Sequence, residues 1–146
     1  MSEPKMITGS RFIDDRGQLN FVNEFDFADI KRHYLVTNHR KGFVRAWHGH
    51  KLESKYITMA RGSAVVGYVK IDDWTSPCSH PDATRIVLSA EDPKILFIPA
   101  GYANGWMSLT DDATLLVFST TTAAESKIDD YRFPARRWDI WNITER

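Results

Sequence analysis

The feature that most constrains the fold is a series of short β-prone segments, rich in Val, Ile, Tyr, Phe and Thr, that recurs along the chain. Gly, Pro, Asn or Asp bounds each segment, and no amphipathic helix of three turns or more interrupts the series. The pattern predicts strands at residues 18–24, 31–37, 43–50, 54–59, 63–71, 84–88, 94–98, 105–109 and 114–119. Residues 63–71 are almost continuously apolar or β-branched, as in a strand buried on both faces. This many short strands predicts an all-β barrel or sandwich.

Composition narrows the partners and the compartment. The 146 residues set the expectation of one domain over 1–146, with a core at about 12–133 and a C-terminal tail at 134–146. Lys plus Arg and Asp plus Glu both number 19, and this zero net charge argues against nucleic-acid or membrane partners. The single cysteine, Cys78, excludes an intramolecular disulfide. No apolar run approaches the ~20 residues of a membrane span, and the N-terminus lacks a signal peptide's apolar core, so we expect a cytoplasmic protein.

The most informative stretch is residues 42–53, which read Gly-Phe-Val-Arg-Ala-Trp-His-Gly-His-Lys-Leu-Glu. On a strand, His48 and His50 project from the same face, because side chains alternate. Histidine titrates near pH 6.5, so this pair suits acid–base chemistry. By the same alternation Arg45 faces away from His48, unless a bulge intervenes or Arg45 sits at the mouth of the barrel.

Residues 42–62 and 98–105 resemble the two signature motifs of the cupin superfamily, which implies a jelly-roll β-barrel or sandwich. The residues that match these motifs are Gly42, His48, His50, Glu53, Gly62, Pro99 and Gly101. Asn104 stands where the second motif has a metal-ligating histidine, and an amide is a poor replacement for an imidazole. We therefore expect no metal and no other cofactor, with a metal-dependent cupin as an alternative.

A closer resemblance exists within the cupins. Residues 15–17, 43–48, 88–92 and 98–105, together with Lys55, resemble the dTDP-4-dehydrorhamnose 3,5-epimerases. Residues 30–34 and 45–53 resemble the nucleotide-sugar 3,4-ketoisomerases. Jointly the resemblance covers about residues 12–133. It implies a homodimer that acts on a nucleotide-linked 4-keto-6-deoxy sugar in bacterial surface-polysaccharide biosynthesis.

The resemblance also implies a set of site residues. A base removes a proton α to the ketone, and an enolate forms. The implied catalytic residues are His48 as the base, His50 as the second ketoisomerase histidine and Lys55 beside the enolate oxygen. The implied substrate-binding residues are Arg16 at the pyrophosphate, Tyr34 near the sugar, Arg45 at the substrate and Asn104 in the pocket. Arg16 has an alternative role, in which it pairs with Asp14 or Asp15 in a turn.

Two departures separate this chain from a standard 3,5-epimerase. Residues 119–125 contain no tyrosine, although the epimerases carry their acid in a comparable run. The epimerases also orient their histidine with an aspartate near the C-terminus, and the candidates here are Asp129, Asp130 and Asp139. We predict a carbohydrate epimerase. The alternatives are a 3,4-ketoisomerase and a non-catalytic cupin that binds sugar nucleotides.

Overall fold

The structure, a computed structural model, describes residues 2–79 and 82–146. Its elements are β1 (Lys5–Thr8), β2 (Ser10–Asp14), β3 (Gly17–Phe21), β4 (Arg32–Thr37), β5 (Val44–His50), β6 (Lys55–Arg61), β7 (Ser63–Lys70), β8 (Thr84–Ser89), β9 (Lys94–Ile98), β10 (Tyr102–Ser108), β11 (Thr114–Ser119), α1 (Ala123–Lys127) and β12 (Tyr131–Arg132). The predicted all-β class is confirmed.

Two five-stranded antiparallel sheets face each other. Sheet A has the order β1-β9-β6-β11-β4, sheet B has the order β12-β5-β10-β7-β8, and β2 and β3 form a separate hairpin. The core between the sheets combines Ile57 and Leu115 of sheet A with Val66 and Trp106 of sheet B. This is the jelly-roll sandwich that the sequence predicts, because the apolar faces of both sheets are buried against each other.

A second apolar cluster lies on the outer face of sheet B. Trp138 and Trp141 from the C-terminal tail pack there against Trp47 of β5 and Val65 of β7. The indole Nε1 atoms of Trp47 and Trp141 both donate to the carbonyl of Ala135. Because sheet B is covered on both sides, β7 is buried on both faces, as its apolar sequence predicts.

A bulge interrupts the pairing of β5 with β10. Asn104 pairs with His48 and Trp106 pairs with Arg45, so two steps on β10 span three steps on β5. A Cβ atom on Gly105 would lie 2.5 Å from the Cβ of Ala46, so only glycine fits this close approach. The extra residue on β5 reverses the alternation, which turns Arg45 to the side of His48.

Several elements were not predicted from the sequence. β1, β2, β12 and α1 are short, and α1 lacks the apolar periodicity that would reveal it. Thr122 and Glu125 form a capping box that starts this helix. β10 begins at Tyr102, three residues before the predicted strand, because the segment after Gly101 pairs with β7.

Candidate active site

A cavity of about 180 Å³ opens between the sheets on the side of β4, β5, β6, β10 and β11. Its lining residues are Tyr34, Val36, Arg45, His48, Lys55, Ile57, Asn104, Trp106, Leu115 and Val117. Five of the seven site residues predicted from the sequence are therefore brought together here. The polar groups stand on an apolar floor, which is the composition typical of small-molecule sites.

His48 presents a neutral imidazole to the cavity. Burial, followed by the charges of Lys55 and Arg132, lowers the pKa of His48 from 6.5 to about 4, and Asp130 opposes the shift. At neutral pH the ring is therefore unprotonated and able to accept a proton. Asn104, opposite it on β10, donates from Nδ2 to the backbone carbonyl of His48 at 3.4 Å.

His50 lies two residues further along β5, behind the cavity wall. Its Nδ1 is 2.6 Å from the backbone carbonyl oxygen of Asp129 and 3.2 Å from Oε2 of Glu53. Both neighbours are acceptors, so the geometry assigns the proton to Nδ1 and the lone pair to Nε2. Nε2 is buried and has no hydrogen-bond partner among the described residues. Burial, followed by the charge of Lys55, lowers the pKa of His50.

Glu53 is the centre of the buried charge network, and the sequence identified it only as a match to the cupin motif. Its side chain has no exposed surface. Burial raises the pKa of its carboxyl, but Lys55, the hydroxyl of Ser119, His50 and Arg32 together outweigh burial and lower that pKa. Glu53 is therefore a carboxylate held by cations and hydroxyls.

Lys55, the first residue of β6, places its amino group at the cavity. The side chain is 11% exposed, and its Nζ lies 3.9 Å from Oε2 of Glu53. Burial lowers the pKa of Lys55, whereas Glu53 opposes that shift. The ion pair with Glu53 thus opposes loss of the proton from this buried amine.

Tyr34 and Arg45 occupy the cavity wall from different sides. Burial and then Glu53 raise the pKa of Tyr34 to about 12, so its phenol stays protonated. The guanidinium of Arg32 lies 4.8 Å from the Tyr34 ring centroid. Arg45 is exposed and donates to the side chain of Asn38 and to the carbonyl of Thr37. The sequence allowed Arg45 to face the cavity only through a bulge or from the mouth of the barrel. The structure shows a bulge beside Arg45, and the residue lies at the exposed edge of the cavity.

Arg16 does not line this cavity. It lies in the turn of the β2–β3 hairpin, where its side chain is 83% exposed and pairs with Asp14 at 2.6 Å. The alternative interpretation of this residue, a turn-forming ion pair, describes its contacts. Its predicted contact with a pyrophosphate stays a prediction.

The three candidate aspartates differ in position. Asp129 is buried, and its carboxylate accepts hydrogen bonds from the backbone amides of residues 51, 52 and 53. Asp130 pairs with Arg132, which faces His48 across the β5–β12 ladder. Asp139 pairs with Arg136 instead. Of the three, Asp130 acts on His48, because its charge opposes the lowering of that pKa.

These residues do not fit a transition-metal centre. Asn104 offers an amide at the position of the fourth ligand, and the carboxylate of Glu53 is already occupied by Arg32 and Ser119. The amino group of Lys55 lies beside the same carboxylate, where a cation would be repelled. Within residues 2–79 and 82–146, no group of three or more His, Cys, Asp and Glu could hold a metal ion.

Solved structures of similar fold include two epimerases and a ketoisomerase. The dTDP-4-dehydrorhamnose 3,5-epimerase from Sulfolobus tokodaii matches at a TM-score of 0.75 and 23% identity, covering 93% of this chain and 80% of that chain. QdtA is a sugar 3,4-ketoisomerase from Thermoanaerobacterium thermosaccharolyticum that was solved in complex with TDP. It matches at a TM-score of 0.68 and 22% identity, covering 92% of this chain and 91% of that chain. The Mycobacterium tuberculosis epimerase matches at a TM-score of 0.68 and 21% identity, covering 84% of this chain and 66% of that chain. Comparison with curated protein sequences finds no match.

The structural likeness shows that the chain has the jelly-roll fold of these enzymes. A family model described as dTDP-4-dehydrorhamnose 3,5-epimerase matches residues 1–135. The chain belongs to the dTDP-4-dehydrorhamnose 3,5-epimerase family and is an isomerase of the dTDP-sugar class. In the described part of the chain, no helix is long and apolar enough to cross a membrane.

Proposed function

We propose that the cavity binds the sugar of a dTDP-linked 4-keto-6-deoxy sugar and epimerises it by proton transfer at a carbon α to the ketone. The observation that carries the proposal is the presence of a neutral His48 and a buried Lys55 in the walls of one cavity. A neutral imidazole accepts the proton, and a neighbouring ammonium stabilises the negative charge on the enolate oxygen. Return of a proton to the opposite face of the carbon completes the epimerisation.

The size of the cavity supports a division of the substrate. Sites for drug-sized ligands usually enclose about 300–1,000 Å³, whereas this cavity has a volume of about 180 Å³. We therefore place the sugar ring inside and the nucleotide outside, past Arg45 at the mouth. Tyr34 and Asn104 then provide neutral donors to the sugar oxygens. Arg45 is exposed and suited to the pyrophosphate, because a guanidinium binds phosphate oxygens in pairs.

A 3,4-ketoisomerase is the second candidate, and His50 is the observation that favours it. Moving a ketone from C4 to C3 removes a proton from C3, returns one to C4, and transfers protons at both oxygens. A second histidine with an unpartnered Nε2 supplies an additional base for such a relay. A non-catalytic sugar-nucleotide-binding protein is the third candidate, and it shares the cavity but requires no proton transfer.

A proton NMR time course in D₂O with dTDP-4-keto-6-deoxyglucose separates these candidates. Deuterium at C3 or C5 with the ketone still at C4 supports the epimerase, and migration of the ketone to C3 supports the ketoisomerase. The His48→Asn variant should abolish exchange, whereas His39→Asn, at an exposed position outside the cavity, should not. Binding of dTDP without any exchange would support the binding protein and contradict the proposed catalysis.

We further propose a cytoplasmic homodimer. The β2–β3 hairpin exposes 56% of Phe12, 65% of Ile13 and 60% of Leu19, an apolar surface that a second copy could cover. Arg16 lies on the same hairpin, so its predicted contact with a pyrophosphate would be made in the cavity of that second copy. Sedimentation velocity of the protein and of Ile13→Asp tests the dimer, and a wild-type monomer at every concentration would contradict it.

A further inference from the structure

We propose that Glu53 is a positioning residue, which holds His50 in the tautomer protonated at Nδ1 and thereby keeps Nε2 available as a second base. This inference rests on the proposed function, because it assigns a task to a histidine of the same site. Glu53 itself does not line the cavity, so it would act through His50.

The orientation of the carboxylate is fixed from one side. Its Oε1 accepts a hydrogen bond from the guanidinium of Arg32 at 3.0 Å and another from the hydroxyl of Ser119 at 2.5 Å. Its Oε2 is therefore directed to Nδ1 of His50, at 3.2 Å. Ser126 donates to the same Oε2 at 3.4 Å. A carboxylate with this set of donors has no freedom to turn away from the imidazole.

The backbone beneath Glu53 is fixed as well. The carboxylate of Asp129 accepts hydrogen bonds from three consecutive backbone amides, of residues 51, 52 and 53, at 2.8, 2.9 and 3.0 Å. The backbone carbonyl of Asp129 accepts from Nδ1 of His50. One residue thus ties the turn that carries Glu53 to the ring that Glu53 contacts. The geometry of the pair is preorganised by the fold.

The charges around His50 show why a carboxylate is needed there. Burial, and then the charge of Lys55 of β6, disfavours a proton on the ring. Glu53, and the carboxylates of Asp129 and Asp130 before β12, provide the opposing charge in this part of the site. The carboxylate of Glu53 is the negative group in direct contact with the ring. Without it, a proton received at Nε2 would create an imidazolium facing Lys55 with no adjacent counter-charge.

The chemical consequence is a second acid–base group with a defined tautomer. A proton taken up at Nε2 gives an imidazolium whose Nδ1–H is hydrogen-bonded to the carbonyl of Asp129 and lies 3.2 Å from the carboxylate of Glu53. An adjacent carboxylate also stabilises the catalytic imidazolium of acyl-transfer triads. Release of that proton restores the starting tautomer. The carboxylate therefore acts with the carbonyl of Asp129 to fix the ring, and its charge raises the pH at which the ring exchanges protons.

The test compares Glu53→Gln with the matched control Glu24→Gln, the same substitution at an exposed position outside the cavity. In ¹⁵N NMR of the ligand-free wild-type protein, we expect His50 to show a protonated Nδ1 and a bare Nε2. Glu53→Gln should disturb that tautomer and lower kcat by about tenfold or more with little change in KM. It should also move the acid limb of the kcat profile to lower pH, since loss of the carboxylate lowers the pKa of His50. Glu24→Gln should leave all three readouts close to wild type.

The outcomes separate this inference from the proposed function. A wild-type His50 protonated at Nε2 would overturn the inference, even if Glu53→Gln cannot be produced in folded form. A folded Glu53→Gln with unchanged tautomer and unchanged pH profile would overturn it as well. Absence of turnover in the wild type, with the expected tautomer and its loss in Glu53→Gln, would instead refute the proposed function while the positioning of His50 stands.

Discussion

Acidification should destabilise the folded protein through His48. Its pKa is about 4 in the folded chain and near 6.5 in an unfolded chain. Above pH 6.5 neither state binds a proton there, so His48 has no effect on the pH dependence. As the pH falls from 6.5 towards 4, the unfolded chain takes up a proton that the folded chain does not, and the free energy of unfolding decreases.

The magnitude follows from the size of that difference. Once the pH is below both values, the lowering from 6.5 to about 4 corresponds to at most about 3.4 kcal/mol. The ring is only half-buried, so solvent screening reduces the effect, and we expect about 1–2 kcal/mol at pH 4.5. His50 shifts in the same direction and adds to the loss in the wild type.

Urea unfolding followed by tryptophan fluorescence at pH 7.5 and 4.5 measures the effect. His48→Gln removes one titrating group. Between the two pH values, the free energy of unfolding should therefore fall by about 1–2 kcal/mol less in the variant than in the wild type. His39→Gln, at an exposed position, serves as the control and should follow the wild type. Equal losses in the wild type and His48→Gln would refute the assignment of a depressed pKa to His48.

Three further predictions concern the site, the bulge and the tail. Lys55→Met should reduce deuterium exchange into the keto sugar by about 100-fold or more, because the enolate loses its cation; exchange at the wild-type rate would exclude this role. Gly105→Ala should lower the free energy of unfolding in urea by about 1–3 kcal/mol, since the new methyl group collides with Ala46. An unchanged urea midpoint would mean that β5 and β10 move apart to accommodate the methyl group without loss of stability. Trp141→Ala should cost about 3–5 kcal/mol in the same assay, whereas Leu52→Ala, 72% exposed, should cost little; similar losses in both would argue against docking of the tail.

The strands that build the sandwich are predictable because their signal is local. β7, β9 and β11 follow from runs of apolar and β-branched residues between turn signals. β12 has two residues and forms only because it pairs with Gly49 and His48 of β5, a contact between distant parts of the chain. A window of sequence around Tyr131 contains no such information.

The same distinction applies to the site. His48 and His50 share a strand, so alternation and motif spacing identify them together. The environment of Glu53 comes from Arg32 and Ser119, which lie 21 and 66 residues away in sequence, and no local pattern joins them. Arg16 shows the opposite case, since its motif is clear but its side chain pairs with Asp14 outside the cavity.

The additional residue in β5 makes the orientation of Arg45, but not that of the histidines, sensitive to a change in the number of residues at the bulge. Adding one residue to β10 between Asn104 and Trp106 would restore equal pairing with β5 and regular alternation. The guanidinium of Arg45 would then turn to the outer surface, while both histidines kept their orientation. The orientation of the two histidines and the orientation of the cation at the mouth are thus set independently along one strand. Gain of a single codon in β10 at this point would therefore remove the positive charge from the mouth of the cavity without moving the histidines.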